Sequence, residues 1–187
     1  MRFIVILDAC TLYPAPLRDL LLRLAITGLF AAKWTDEIHD EWTRNLIGNR
    51  PELEEPLKRT RTLMDNAVPD CLVTNYESLI CGLTLPDEDD RHVLAAAIKA
   101  AAQIIVTFNL KDFPDEILNT YDIEAMHPDS FIEHQLTLQQ GLVISTVKRH
   151  RAELKNPPKS AEEYLDTLSA QGLVVTADLL HEFIDLI

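Results

Sequence analysis

Positive charge is scarce in this chain. Its 187 residues carry 17 Lys and Arg against 30 Asp and Glu, a net charge of −13. That balance excludes a broad electrostatic grip on nucleic acid or on an anionic membrane, and leaves room for a local basic patch or for an acidic pocket that holds cations. Cysteine is scarce too. Cys10, Cys71 and Cys81 are odd in number and lack C-x-x-C spacing, which argues against a disulfide framework and for reduced thiols. No apolar run approaches the roughly 18 residues of a membrane span. The first apolar run, residues 3–7, is too short for a secretion signal and has no cleavage pattern. Repeats and low-complexity tracts are absent. The expectation is a cytoplasmic globular chain without membrane contact, forming one domain or one domain with a helical extension.

What is present is organised around Phe3-Ile4-Val5-Ile6-Leu7-Asp8. A short apolar, β-branched run that stops at a carboxylate reads as a buried strand of a parallel sheet. Ligands in such sheets collect outside the carboxyl ends of the strands, where Asp8 stands. Residues 16–28 read as a helix closed by Gly28, and Leu29 to Trp34 as a second strand. Thr35 is an N-cap for a helix over about 36–47. At about 100° per residue, Glu41 borders the Ile38–Trp42–Leu46 stripe, Glu37 lies further off, and Asp40 points to solvent. Residues 52–66 form another helix with a solvated face bearing Lys58, Arg59 and Arg61. Pro86 to Asp90 reads as the start of the clearest helix, whose buried face is Val93, Leu94, Ala97, Ile98 and Ala101. Projected backwards, Asp90 falls at the centre of that face and Asp87 about 50° away. Residues 103–107 form the next strand, followed by a polar loop with Asn109 and Asp112. Ile123 to Met126 reads as an edge strand and 128–139 as a helix. Beyond about 140 come two to four further helices and a basic cluster (Lys148, Arg149, His150, Arg151, Lys155).

Asp8, Glu41, Asp90 and Asp112 are thus four inward-biased acids on elements whose ends share one sheet edge. Clustered carboxylates repel one another, and a hard divalent cation makes the cluster tolerable. Oxygen-only ligands select Mg²⁺ or Mn²⁺ over zinc. One or two such ions activate water for phosphodiester hydrolysis. Thr107 and Asn109 are placed to orient carboxylates or water, and Asp87 to assist Asp90 or take its place. The bland readings go to the rest. His39 and His92 project outward, Trp34 and Trp42 are core, and Cys10 is a small core residue with no His to activate it. Cys10 also occupies the position where a haloacid-dehalogenase-type site needs a second Asp.

The strand ending in Asp8, the Thr35–Glu41 segment, Asp90-Arg91-His92-Val93-Leu94-Ala95-Ala96-Ala97 and Val106-Thr107-Phe108-Asn109-Leu110-Lys111-Asp112-Phe113-Pro114 resemble the PIN-domain family, and within it the VapC-type toxins. The resemblance covers about residues 1–130. It implies a PIN-like three-layer α/β fold with a central, mostly parallel sheet flanked by helices, a nuclease domain over 1–134 and a C-terminal helical extension over 135–187. It implies an Mg²⁺- or Mn²⁺-dependent endoribonuclease whose catalytic, metal-holding acids are Asp8, Glu41, Asp90 and Asp112, supported by Asp87, Thr107 and Asn109. The partners it implies are an RNA substrate, a VapB-like antitoxin and a second copy of the chain in a homodimer. The grip on RNA falls to local bases such as Lys58, Arg59, Arg61 or the 148–155 cluster. Two other readings stand beside this one: a housekeeping RNA-processing nuclease, and a catalytically silent PIN scaffold that binds a protein partner.

Overall fold

The computed structural model describes residues 2–187. In chain order the elements are β1 (Ile4–Leu7), α1 (Ala9–Leu12), α2 (Ala15–Ile26), β2 (Ala31–Lys33), α3 (Asp36–Asn49), α4 (Glu54–Ala67), α5 (Glu77–Ile80), α6 (Arg91–Ala100), β3 (Ile104–Val106), α7 (Asp115–Leu118), β4 (Glu124–Met126), α8 (Pro128–Leu138), α9 (Gln140–Glu153), α10 (Ala161–Ala170) and α11 (Val174–His181). They divide into two compact units. One comprises Met1–Tyr13 and Phe30–His127, the other Pro14–Leu29 and Pro128–Ile187.

The first unit is built on a four-stranded sheet in the order β2-β1-β3-β4. Every pairing is parallel, with Val5 opposite both Ala32 and Ile104, and Val106 opposite Met126. The sequence pattern suggests a mostly parallel sheet; in the structure it is wholly so. Strand β1 is central, and Val5, Ile6 and Leu7 have no exposed surface. A parallel sheet covered by helices on its faces forces such an unbroken apolar strand. Helices flank the sheet, so the fold is α/β. The expected edge strand is β4, at the end of the order.

Helix α3 starts where Thr35 Oγ1 accepts the Ile38 N–H at 3.0 Å, as an N-cap Thr should. Trp34 and Trp42 are core residues, as expected. His39 is not the surface residue that the helical projection suggests. It is fully buried, its Nδ1 accepts the Trp42 indole N–H at 3.0 Å, and its Nε2 lies 3.0 Å from Asp65 Oδ1. The acceptor role of Nδ1 leaves the proton on Nε2, facing the carboxylate. Asp65 Oδ1 also accepts the Trp34 indole N–H at 2.8 Å, so α4 covers the outer side of α3 and removes its solvent face at His39.

The helix expected from Pro86 begins later. Residues 86–90 are a turn, and α6 starts at Arg91. Asp87 Oδ1 accepts the Asp89 N–H at 3.0 Å, a local bond of the kind that competes with helix.

In the second unit α2 packs on α9 and α10, and α11 packs on α8 and α10. Leu17, Leu20, Leu21 and Leu24 make the buried stripe of α2, which ends at Gly28 with φ 87°, a left-handed value suited to glycine. The interior is not wholly apolar. His150 bonds Tyr164 Oη through Nδ1 at 2.8 Å and Asp19 through Nε2 at 3.0 Å. Asp19 and Glu153 in turn accept from Arg23 at 3.1 and 2.8 Å. Helix α10 opens with a capping box of Ser160 and Glu163.

Candidate active site

The chain runs from β1 straight into α1, and Asp8 is the joint. Its backbone N–H still donates to Val106 O at 3.1 Å, as a strand residue would. Its side chain belongs to the helix: Oδ1 accepts the Ala9 N–H at 2.7 Å. Oδ2 accepts from Thr107 Oγ1 at 2.7 Å and from Cys10 Sγ at 3.0 Å. The residue is buried. Burial pushes its carboxyl above the ordinary range, the bonds from Cys10 and Thr107 pull it back, and the charge of Glu41 adds to the upward push. One oxygen of Asp8 therefore caps α1 and the other is tied to the end of β3.

Thr107, fully buried, also accepts the Asn109 N–H at 3.0 Å. This fixes the loop after β3, where the Asn109 carbonyl accepts the Asp112 N–H at 2.9 Å. Asn109 itself is exposed and Asp112 half-buried. Cys10 Sγ accepts the Phe108 N–H at 3.3 Å while its hydrogen points to Asp8. Burial, then the neighbouring Asp8, raises the Cys10 thiol far above its usual value. It is thus a positioned thiol and not a thiolate nucleophile.

Asp90 stands just ahead of α6, half-buried; its carbonyl accepts the Val93 N–H at 3.0 Å, but its carboxylate makes no bond to the helix N-terminus. Its carboxyl is raised to about 7, by burial first and then by the charges of Asp8, Asp87, Asp112 and Glu41. The charges of Asp8, Glu41 and Asp112, the other acids singled out from sequence, thus all reach Asp90, as does that of the exposed Asp87. Among the described residues no three His, Cys, Asp or Glu side chains stand close enough together to hold an ion by themselves. The acids form a ring only in the sense that their charges meet at Asp90.

Sequence reasoning missed His92. It is buried, not outward-facing, with Nε2 3.6 Å from Glu41 Oε2 and Nδ1 3.8 Å from Glu37 Oε2. Burial lowers its pKa, but Glu41, Glu37 and Asp8 together more than reverse this, and the net shift is upward. Residues 92–97 of α6 are all buried, so the helix has no outward face at that level. Glu37 Oε2 also accepts the Tyr76 hydroxyl at 3.0 Å.

The basic residues are less available than their sequence clustering suggests. Lys58 pairs with Glu54 and Glu55, and Arg61 with Asp36 and Asp40. Lys148 donates to the Leu186 carbonyl, Arg151 to the carbonyls of Lys159 and Ile187, and His150 sits in the buried Asp19–Tyr164 network. Unbonded carbonyls at helix ends attract such cations.

The PIN domain model matches residues 4–111, more than half of the chain. The chain belongs to the PIN-domain family. The VapC50 C-terminal domain model matches residues 128–182 of this PIN protein. The protein is also 36% identical over 129 residues to "Putative ribonuclease VapC50" of Mycobacterium tuberculosis, which covers 67% of this chain and 76% of that relative. No solved structure gives a significant match. Among the described residues, no helix of this PIN protein is long and apolar enough to cross a membrane.

Proposed function

We propose that this PIN protein is an Mg²⁺- or Mn²⁺-dependent endoribonuclease, the toxin of a VapBC-like toxin–antitoxin pair. The observation that carries the reading is the state of Asp90. A half-buried carboxyl is raised to about 7, by burial first and then by the charges of four other acids, with no cation paired to it among the described residues. Such repulsion costs stability and persists where function requires the charges together. The relative named as a ribonuclease supports the same substrate class.

The donor set fits a hard cation. All its members are carboxylate oxygens, and the nearest thiol, Cys10, is held protonated. Asp8, Asp90 and Asp112 would hold the ion, with Glu41 acting directly or through water. When bound, Mg²⁺ or Mn²⁺ supplies Lewis acidity and an acidified water at the scissile phosphate. The chain's own part is positional. Thr107 and Cys10 leave Asp8 one fixed orientation by donating to Oδ2. Thr107 also pins the backbone turn that carries Asp112. Asn109, exposed beside that turn, is available to substrate.

The acid ring repels RNA, so the ion and nearby bases must supply the attraction. Of the bases singled out from sequence, the side chains of Arg59, Arg149 and Lys155 make no hydrogen bond or ion pair among the described residues, and Arg59 lies in the same unit as the acids. A VapB-like antitoxin that covers the acid ring and a homodimer complete the proposed assembly, in the cytoplasm. The test is incubation of purified protein with total cellular RNA, with Mg²⁺ or Mn²⁺ and with EDTA. Discrete fragments that disappear with EDTA are expected. Intact RNA with every ion, from a protein that also binds none, would leave the fold as a partner-binding scaffold.

A further inference from the structure

We infer that His92 is a positioning residue of the nuclease site, holding Glu41 at the acid ring by spanning Glu41 and Glu37. The inference rests on the metal-dependent reading above and names a residue beyond its four acids.

Three observations carry it. First, His92 is only 6% exposed, yet its Nδ1 is buried without a hydrogen-bond partner. An unsatisfied buried nitrogen costs free energy, and each such group in a native structure calls for an explanation. Second, both ring nitrogens face carboxylates of one helix. Glu37 and Glu41 lie four residues apart on α3, so their side chains stand on the same face one turn apart. Nδ1 is 3.8 Å from the first and Nε2 3.6 Å from the second. Third, the imidazole cannot swing away. It sits two residues past Asp90 on the tightly packed start of α6, where residues 92–97 are all buried. On the other side Glu37 is fixed by the Tyr76 hydroxyl at 3.0 Å.

The distances are slightly long for hydrogen bonds. A cation held by the acids would fix Glu41, and the imidazole is placed to donate to it in that orientation. Outer-shell groups of this kind orient ligands that would otherwise sample several rotamers. Glu41 needs one more than Asp8 does. Asp8 has three donors, whereas the Glu41 side chain is a third exposed and His92 is the donor it faces.

The test compares the intact protein with His92→Gln, Glu41→Gln and the double variant, reading Mn²⁺ affinity by electron paramagnetic resonance and RNA cleavage as kcat and KM. The expected result for His92→Gln is a roughly tenfold weaker Mn²⁺ affinity and at least a tenfold lower kcat, with the RNA KM within about threefold of the parent. In the Glu41→Gln background, adding His92→Gln should change either quantity less than about twofold, because the residue acts through Glu41. Equal losses in both backgrounds, or no loss in the first, overturn the inference. If His92→Gln does not fold, Glu37→Gln replaces it, since that side chain is about half exposed; a lowered Mn²⁺ affinity that vanishes in the Glu41→Gln background supports the inference, and an unchanged affinity overturns it. A parent protein that neither binds Mn²⁺ nor cleaves RNA overturns the nuclease reading itself, an outcome distinct from a competent parent with an indifferent His92→Gln.

Discussion

Thr107 donates its hydroxyl hydrogen to Asp8 Oδ2 over 2.7 Å, joining residues 99 positions apart in sequence at the ends of two adjacent parallel strands. The bond is buried and makes two strand ends into one rigid edge. Replacing Thr107 by Val keeps the shape and removes the donor. A buried acceptor that loses its partner costs about 1–3 kcal/mol, and loss of an outer-shell donor typically costs 10–100-fold in metal affinity. Thr107→Val is expected to lower both the urea midpoint and the Mn²⁺ affinity, and Thr107→Ser, which restores the hydroxyl, to recover most of the affinity. Calorimetric titration of the two variants checks this.

The acid ring predicts proton release on cation binding. In the ion-free protein the carboxyls of Asp8 and Asp90 are raised above their ordinary 3.8, that of Asp90 to about 7. The folded state therefore binds more protons than the unfolded one between those limits. The stabilising contribution of Asp90 is fully present below 3.8 and is lost as pH rises through about 7, and that of Asp8 has the same sign. A cation needs the ionised forms. Its apparent affinity should rise from about pH 5.5 to about pH 8 and then level off. Asp90→Asn should raise the melting temperature of the ion-free protein at pH 8 by a few degrees. Thermal melts with EDTA and titrations across pH check both signs.

In the second unit Asp129 acts on a helix far along the chain. Its two carboxylate oxygens accept the N–H groups of Val175 and Thr176 at 2.9 and 2.8 Å, at the start of α11. This is an N-cap supplied by α8. Removing an N-cap acceptor costs about 0.5–2 kcal/mol. Asp129→Ala is expected to destabilise by that order in urea, and Asp129→Asn by less, because the amide oxygen still accepts one bond.

Truncation at residue 139 should be far more damaging than trimming an appendage. It would remove α9 and α10, against which α2 buries Leu17, Leu20, Leu21 and Leu24. At about 1.5–3 kcal/mol for each fully buried leucine, their exposure exceeds what a marginally stable chain tolerates. The truncated protein is expected to be insoluble, or soluble only after these leucines are made polar; expression and sedimentation decide.

Much of the sheet edge was legible in sequence for a simple reason. Apolar runs that end in Asp8 and Thr107 announce both the strand and its carboxyl end. Asp90 was legible as an inward acid, but the start of its helix was not, because the Asp87 side chain captures the Asp89 N–H locally. His39 and His92 were misplaced by one assumption, that a helix with an apolar stripe has a wet opposite face. Helix α6 is buried on nearly every side at 92–97, and α4 covers α3 at His39 through Asp65. The grouping of α2 with the C-terminal helices left no sequence signal either, since its leucine stripe would look the same against any partner. The basic residues at 148–151 looked like a surface patch because a carbonyl acceptor such as that of Leu186 is invisible in a list of side chains.

The central claim is that Asp8, Glu41, Asp90 and Asp112 form one site for a divalent cation. Titration of Mn²⁺ into the metal-free protein, followed by electron paramagnetic resonance, tests it most directly, with each of the four acids replaced in turn by its amide. Binding is expected in the parent protein, with competition by Mg²⁺ and at least tenfold weaker binding in every one of the four variants. Absence of Mn²⁺ binding in the parent, or full binding in Asp8→Asn and Asp90→Asn, would contradict it.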